Sequence, residues 1–435
     1  MKIAFIRPSM FGRQTKDAMM PLVFAIIKPL TPDDVKITFY DEKIEELPVS
    51  LDADIVAMTV ETFTAKRAYN LALKYKKENK KVIMGGFHPT MMADECLNYA
   101  DSVVIGEAED TWPKIISDLK NSCLKKKYES SNNIDMSLIK YDYEVFKEKN
   151  YNKIGLVQFS RGCKFSCDFC SVHAFYKDKI RCKSIEIIID EIKAMREKYI
   201  FFIDDNIFSN EEEAKKLFKA LIPLKKKWFC QISMDIASDK LLLNLMKESG
   251  CILVVIGFES LNRENLKKIG KIANLKYQGY KNAIENIYGS GIMIYATFVI
   301  GYEGDTTAST RDLLKFALEN KFAIANFNPL MPMPGTRLFE RLEKNGKLPY
   351  GKWWINPDYR YGDSMVYPEL MSGPELMEAC KRARYEFYSY KNILKRLFNF
   401  KINYRSFENA FLFFAANLIS KIEIKSKQGI KLGGD

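Results

Sequence analysis

Residues 160–170 read SRGCKFSCDFC and set Cys163, Cys167 and Cys170 at a Cys-x-x-x-Cys-x-x-Cys spacing, directly after the apolar run 154–159. Thiolates are soft ligands, and three on one short loop can hold three irons of a 4Fe–4S cube. The fourth iron of such a cube has no cysteine and is open to a small molecule, which points to catalysis rather than electron storage. Zinc is the alternative reading. Structural zinc takes four closed ligands, usually from Cys-x-x-Cys pairs, and His173 or Cys182 is the candidate fourth.

A cysteine loop needs a scaffold to aim it. The run 154–159 is the first of six strand candidates, followed by 200–204, 228–234, 251–258, 292–300 and 322–328, with helical patterns at 184–198, 211–222 and 238–249 between them. This alternation predicts parallel strands with crossover helices, either a second open sheet or part of a barrel. In a barrel, function gathers at the carboxyl ends of the strands. Those ends carry the cysteines, then Asp204, Asp205 and Asn206, then Ser233 and Asp235, then Glu259 and Ser260, then Gly301 in GYEGD (301–305), and finally NPLMPMPGTR (328–337). Each such residue is also a common turn or N-cap former. Their joint presence beside the cysteines favours ligand roles.

The first 125 residues show the same alternation, with strands expected at 2–7, 36–41, 54–60, 81–86 and 101–106. An open doubly wound sheet follows, and its ligands bind outside the carboxyl ends of the strands. There lie Thr59, Glu61, Thr62 and Phe63 in TVETFTA (59–65), Gly85, Gly86, His88 and Pro89 in GGFHPT (85–90), and Gly106 and Glu107 in GEAED (106–110). Paired glycines let backbone approach a ligand closely. The pattern is not Gly-x-Gly-x-x-Gly, so a nicotinamide cofactor is not expected.

These motifs carry a resemblance to known families. The three cysteines with Phe169 before the last of them resemble the signature of the radical S-adenosylmethionine (SAM) superfamily, and FFIDDNIF (201–208), GFESL (257–261), IGYEGDT (300–306) and PMPGT (332–336) resemble its cobalamin-dependent, methyltransferase-like branch. DAMMPL (17–22), TVETFTA, GGFHPT and GEAED resemble the cobalamin-binding domain that precedes it. The resemblance implies an α/β chain: a doubly wound, Rossmann-like cobalamin-binding domain over 1–125, a linker over 126–153, a partial (β/α)6 TIM-type barrel over 154–370 and a helical segment over 371–435. It also implies three cofactors, a 4Fe–4S cluster on the three cysteines, SAM on the fourth iron, and cobalamin. Phe169 would lie by the adenine, Asp204, Asp205 and Asn206 by the SAM amino group, Glu259 and Ser260 by ribose or carboxylate, and Gly301 by the adenine again. Arg161 either raises the cluster potential or pairs with a carboxylate. The chain departs from one cobalamin pattern in lacking Asp-x-His-x-x-Gly, so His88 is expected to line the pocket or cap a turn rather than ligate cobalt. A domain that packs without binding a corrin is the alternative for 1–125.

The chemistry implied is radical. No side-chain base removes a proton from an unactivated carbon at neutral pH, so the cofactors carry the hard step and the protein positions them; no side chain is assigned as an acid–base catalyst. The leading expectation is C-methylation of an unknown small molecule, lipid or peptide, with electrons from a donor such as flavodoxin or ferredoxin. The alternatives are a non-methylating ring formation, rearrangement or oxidation, and an iron–sulfur electron-transfer or binding protein. Methylthiolation of RNA is disfavoured, because residues 1–125 hold only Cys96 and Cys123 and a second cluster wants three.

Composition limits the remaining classes. A chain of 435 residues, 47% hydrophobic and 28% charged, suggests two to three globular domains. Nine scattered cysteines with one tight cluster are not a disulfide framework. The start is too short for a secretory leader and no uncharged apolar run of about 18 residues occurs, so a cytoplasmic protein without a membrane span is expected. The formal charge of +12 invites nucleic acid, but the lysine runs 74–81, 125–127 and 225–227 end helical patterns without interleaved aromatics and read as solvated faces. Residues 406–422 form an apolar helix that packs on the barrel, lids it, or touches a membrane surface. Tyr302, Met331, Met333 and Trp353 are candidates for either core or an apolar pocket.

Overall fold

The computed structural model describes residues 1–15, 18–276, 280–426 and 428–434; Asp17 of the DAMMPL motif lies outside them. Six strands form the first sheet: β1 (Lys2–Arg7), β2 (Lys36–Asp41), β3 (Ile55–Thr59), β4 (Lys81–Gly85), β5 (Ser102–Ile105) and β6 (Lys127–Glu129). All pair in parallel in the order β2-β1-β3-β4-β5-β6. Helices cover both faces, which is why the strands read as continuous apolar runs. Ala4, Ile6, Val56, Met58, Val82 and Met84 feed one core, and their alternates Ile3, Phe5, Ile55, Ala57 and Ile83 feed the other. The order reverses direction between β1 and β3, which opens a crevice at the carboxyl ends there. The sixth strand falls in the segment expected to be linker. Its sequence KYE has one apolar residue, Tyr128, whose hydroxyl donates to Asp118 at 2.6 Å.

The second sheet is also parallel, in the order β7-β10-β11-β12-β13-β14, with β7 at Gly155–Val157, β10 at Tyr199–Phe202, β11 at Lys227–Ile232, β12 at Cys251–Glu259, β13 at Met293–Ile300 and β14 at Ile324–Pro329. Between β7 and β10 the short strands β8 (Ser160–Arg161) and β9 (Arg181–Cys182) pair antiparallel. Six strands make a partial barrel, not a closed one. Four of its crossover helices start where side chains cap them: Ser184, Asn210, Asp239 and Thr306 each accept a hydrogen bond from the first-turn backbone.

The β14 edge is covered by the helix Gly373–Phe387, which buries Leu376, Cys380, Ala383 and Phe387. The helices Tyr390–Leu397 and Phe407–Ser426 dock through Arg396, which donates to the carbonyls of Phe322, Ala323 and Phe387 and to Asn417 Oδ1. Burial pulls its guanidinium down to about 9. The C-terminal segment therefore packs on the barrel. Among the described residues no helix is long and apolar enough to cross a membrane.

Chain order and spatial order part company after β14. Phe339, Trp353, Trp354, Tyr359, Met365 and Leu432 join the same core as Val56, Tyr69 and Val82 of the first sheet, with Met331 and Met333 packed against it. Met331, Met333 and Trp353 are thus core residues at the join of the two sheets. Tyr302 is buried too, donating to Asp168 at 2.7 Å. Glu95 anchors the join, accepting from Tyr69 at 2.9 Å and Trp354 at 2.8 Å and pairing with Lys352 at 2.9 Å.

Candidate active site

The loop after β8 turns at Gly162, whose φ is +89° and where a Cβ would collide with the Lys179 carbonyl oxygen. Only glycine fits that place. The loop is then pinned from outside. Asp168 N donates to Ile269 O, its carboxylate takes Tyr302 and Arg341, and Leu338 N donates to its carbonyl. Arg337 reaches the Ser166 carbonyl. So held, Cys163, Cys167 and Cys170 all line one cavity of about 230 Å³ at the carboxyl ends of the barrel strands. Among the described residues no three His, Cys, Asp or Glu groups converge on a single ion; the thiols surround a space. Burial pushes the Cys167 thiol up to about 11.

The polar residues expected here divide. Phe169, Asp205, Asn206, Ser233 and Glu259 line the cavity with the cysteines. Asn206 Nδ2 donates to Ser233 Oγ at 3.1 Å and lies 3.9 Å from Cys163 Sγ. Glu259 sits at φ +62°, where the β12–β13 register slips between Gly257 and Glu259. Such a bulge re-aims a side chain, and the absent side chain of Gly257 leaves room for the carboxylate.

Four of the expected residues lie outside the cavity lining. Asp204 is fully buried and caps the end of β7, accepting from Phe159 N at 3.2 Å and Ser160 Oγ at 2.5 Å; burial raises its carboxyl to about 7 against those bonds. Asp235 accepts from Ser233 Oγ and pairs with Lys164 at 2.6 Å. Ser260 Oγ accepts from Asn262 N in a turn. Gly301 donates to Asp305 and is packed by Leu330 and Leu376. The zinc candidates His173 and Cys182 are likewise outside the lining. Lys271 was not foreseen. It lines the cavity, pairs with Glu259 at 2.9 Å, and is held in its charged form by that carboxylate and the nearby thiols against the penalty of burial. Its position, at the end of a lysine-rich helical stretch, gave no signal beyond a solvated charge run. Gln231 and Thr297, inward on β11 and β13, were also missed because single polar residues within apolar strands carry no motif.

A second cavity of about 400 Å³ opens at the carboxyl ends of β1, β3, β4 and β5, where the sheet order reverses, and the barrel closes its far side. Thr59, Glu61, Gly85, Gly86, Gly106 and Glu107 line it from the first sheet; Gln158, Arg161, Phe175, Tyr176 and Ile203 line it from the barrel. Gly86 has φ +111°, and a Cβ there would come within 2.8 Å of Val60 O. Thr62, Phe63, His88 and Pro89 are outside the lining. Phe63 turns into the core against Trp353, at 4.8 Å between ring centroids. His88 is fully buried on the side away from the cavity, with Nε2 2.9 Å from the Tyr69 hydroxyl and its ring against Trp354. Arg161 pairs with carboxylates: Glu107 at 2.5 Å and Glu109 at 2.6 Å, with Arg181 also on Glu107 at 2.6 Å.

One short helix, Ser171–Tyr176, joins the two cavities. It begins directly after Cys170, contributes Val172 to the first cavity and Phe175 and Tyr176 to the second, and spans only about 9 Å at 1.5 Å per residue. The donor set fits the groups implied. Three thiols bounded by acids, an amide and a cation suit a 4Fe–4S cluster with an amino-acid-bearing sulfonium, and a glycine-edged apolar crevice at a switch point suits a flat macrocycle.

Comparison with known proteins agrees. Residues 157–317 match the family model of the radical SAM superfamily, and residues 26–116 match the B12 binding domain. The chain is 29% identical over 403 residues to bacteriochlorophyllide d C-12(1)-methyltransferase of Chlorobaculum tepidum, covering 90% of this chain and 87% of that protein. It is 24% identical over 400 residues to the anaerobic magnesium-protoporphyrin IX monomethyl ester cyclase of Rubrivivax gelatinosus, covering 82% and 69%. Among solved structures it resembles the cobalamin-dependent S-adenosylmethionine radical enzyme OxsB with aqua-cobalamin and S-adenosylmethionine bound, with a TM-score of 0.66, 14% identity, and 97% and 72% of the two chains covered. The chain belongs to the radical SAM superfamily, as an enzyme that carries a cobalamin-binding domain ahead of its radical SAM domain.

Proposed function

We propose that this enzyme methylates an unactivated carbon of its substrate. The observation that carries the reading is the pair of cavities at the two ends of the helix Ser171–Tyr176, each lined by residues suited to one of the two cofactors. When bound, the cluster with SAM supplies a radical strong enough to take hydrogen from carbon, and the corrin supplies a transferable methyl group. The thiolates of Cys163, Cys167 and Cys170 hold three irons. Asp205, Asn206 and Ser233 accept from and orient the SAM amino group, Glu259 takes ribose hydroxyls, Lys271 meets the SAM carboxylate, and Phe169 packs on the adenine. Gly85, Gly86 and Gly106 let the corrin approach the strand ends, while Phe175 and Tyr176 shut out water from the side facing the cluster.

Two relatives frame the choice of reaction: one is named as a C-methyltransferase, the other as a cyclase. The second name favours a competing reading in which the radical step is kept without methyl transfer. An anaerobic assay with reconstituted cluster, corrin, SAM and a reductant separates them, using a substrate panel that starts from tetrapyrroles. Methylation yields both 5′-deoxyadenosine and S-adenosylhomocysteine with a methylated product. Deoxyadenosine with a changed but unmethylated substrate sinks the methyltransferase reading in favour of the second.

A further inference from the structure

The C-terminal helices carry apolar surface that the fold leaves uncovered. On Phe407–Ser426, Phe413, Asn417 and Ile424 are buried against the barrel. At helical spacing on another face, Phe407, Phe411, Phe414 and Ile422 are 89%, 63%, 40% and 70% exposed. A helix that is apolar all round is ordinarily covered all round; this one is covered on one side. Leu394, Phe398, Phe400 and Tyr404 of the preceding helix and loop are exposed as well, with Phe400 in ring contact with both Phe398 and Tyr404. Single exposed apolar residues need no explanation, but eight on two packed helices and the loop between them do.

Charge says what covers it. From Tyr390 to Ser426 the chain has seven basic residues and two acids, Glu408 and Glu423. Glu408 is already engaged by Lys198 at 2.6 Å and Tyr199 at 2.8 Å, and Glu423 is partnered as well. Arg396 is buried and Lys421 lies over the Tyr390 ring. Lys391, Lys395, Lys401 and Arg405 are exposed and make no ion pair among the described residues. We propose that this face seats the enzyme on an anionic lipid surface, with the phenylalanines in the headgroup–acyl boundary and the four cations on lipid phosphates. A second copy fits poorly, because a two-fold contact would set these cations against one another.

The test is flotation of the full-length protein with vesicles of phosphatidylglycerol and phosphatidylcholine, and with vesicles of phosphatidylcholine alone. Wild-type protein binds the first far better than the second, and added salt weakens the binding. Replacing Lys391 and Lys395 by alanine lowers partitioning about fivefold per lysine. The combined variant Phe407→Ser, Phe411→Ser, Ile422→Ser leaves the vesicles while melting like wild type, since these side chains are already solvated. Wild-type protein that ignores anionic vesicles overturns the proposal, as does a triple-serine variant that still binds. A concentration-dependent dimer that the triple variant abolishes, without vesicle binding, assigns the face to a second copy instead.

Discussion

Glu95→Gln is the substitution that tests how the two sheets are joined. The Glu95 side chain is 6% exposed and accepts hydrogen bonds from Tyr69 and Trp354, with Lys352 paired to it. Burial opposes its ionisation, but the bonds from His88, Trp354, Lys352 and Tyr69 outweigh burial and hold the carboxyl at about 2. An unfolded glutamate titrates near ~4.3, so linkage gives roughly 3 kcal/mol of stability at neutral pH. Two buried donors on a charged acceptor, at about 1.5–3 kcal/mol each, give a total of the same order. Lys352 adds little, because its side chain is 48% exposed. The folded carboxyl is the more acidic one, so this stability is complete above the unfolded value and is lost as pH falls toward about 2. Denaturant unfolding followed by tryptophan fluorescence is the assay, since Trp353 and Trp354 lie in the affected core. The variant is less stable by about 3 kcal/mol near neutral pH, and the gap narrows as pH drops below ~4.3. A difference under about 0.5 kcal/mol at neutral pH, or a gap indifferent to acid, would mean that the Glu95 carboxylate does not hold the two sheets together.

Substitutions at three further sites, each with a companion variant, have defined outcomes. Glu107→Ala leaves the buried Arg161 only one carboxylate, Glu109, beside its bond to Gln158, and costs about 3 kcal/mol in a melt; Arg181→Ala, which removes the more exposed partner, costs less. Lys271→Ala raises KM for SAM about tenfold or more in steady-state deoxyadenosine formation, and Lys271→Arg recovers part of it. Gly162→Ala forces a side chain into a left-handed backbone beside the Lys179 carbonyl and lowers iron content after reconstitution, whereas Gly346→Ala, where a Cβ meets nothing, leaves it unchanged.

Much of the fold was legible because parallel strands covered on both faces must be apolar throughout. Runs such as Ile55–Thr59 and Cys251–Glu259 therefore stand out from the polar helices between them. The exception is informative: β6 is a three-residue edge strand with one apolar side chain, which no periodicity can reveal. The cysteine spacing carried the cluster loop because all three thiols serve one object. Neighbouring polar residues beyond a strand end were harder to read, because the loop has no fixed period and each side chain goes where its own hydrogen bonds hold it. Asp205 and Asn206 line the cavity, while Asp204 turns back to cap β7. His88 is set apart from Gly86 by the helix Phe87–Met91, which carries it into the core behind the crevice that Gly86 lines. Lys271, and the pairing of Arg161 and Arg181 with Glu107, depend on contacts between distant parts of the chain, and nothing local announces them.

Whether the two cavities hold two different cofactors is tested by measuring bound iron and bound corrin side by side in two variants. Cys167→Ala removes a thiol from one cavity, and Ala108→Trp fills the other. With one cofactor in each cavity, Cys167→Ala loses the iron–sulfur absorbance and keeps the corrin, while Ala108→Trp keeps the iron and loses the corrin. A Cys167→Ala protein with full iron–sulfur absorbance, or an Ala108→Trp protein that binds corrin as wild type does, contradicts it.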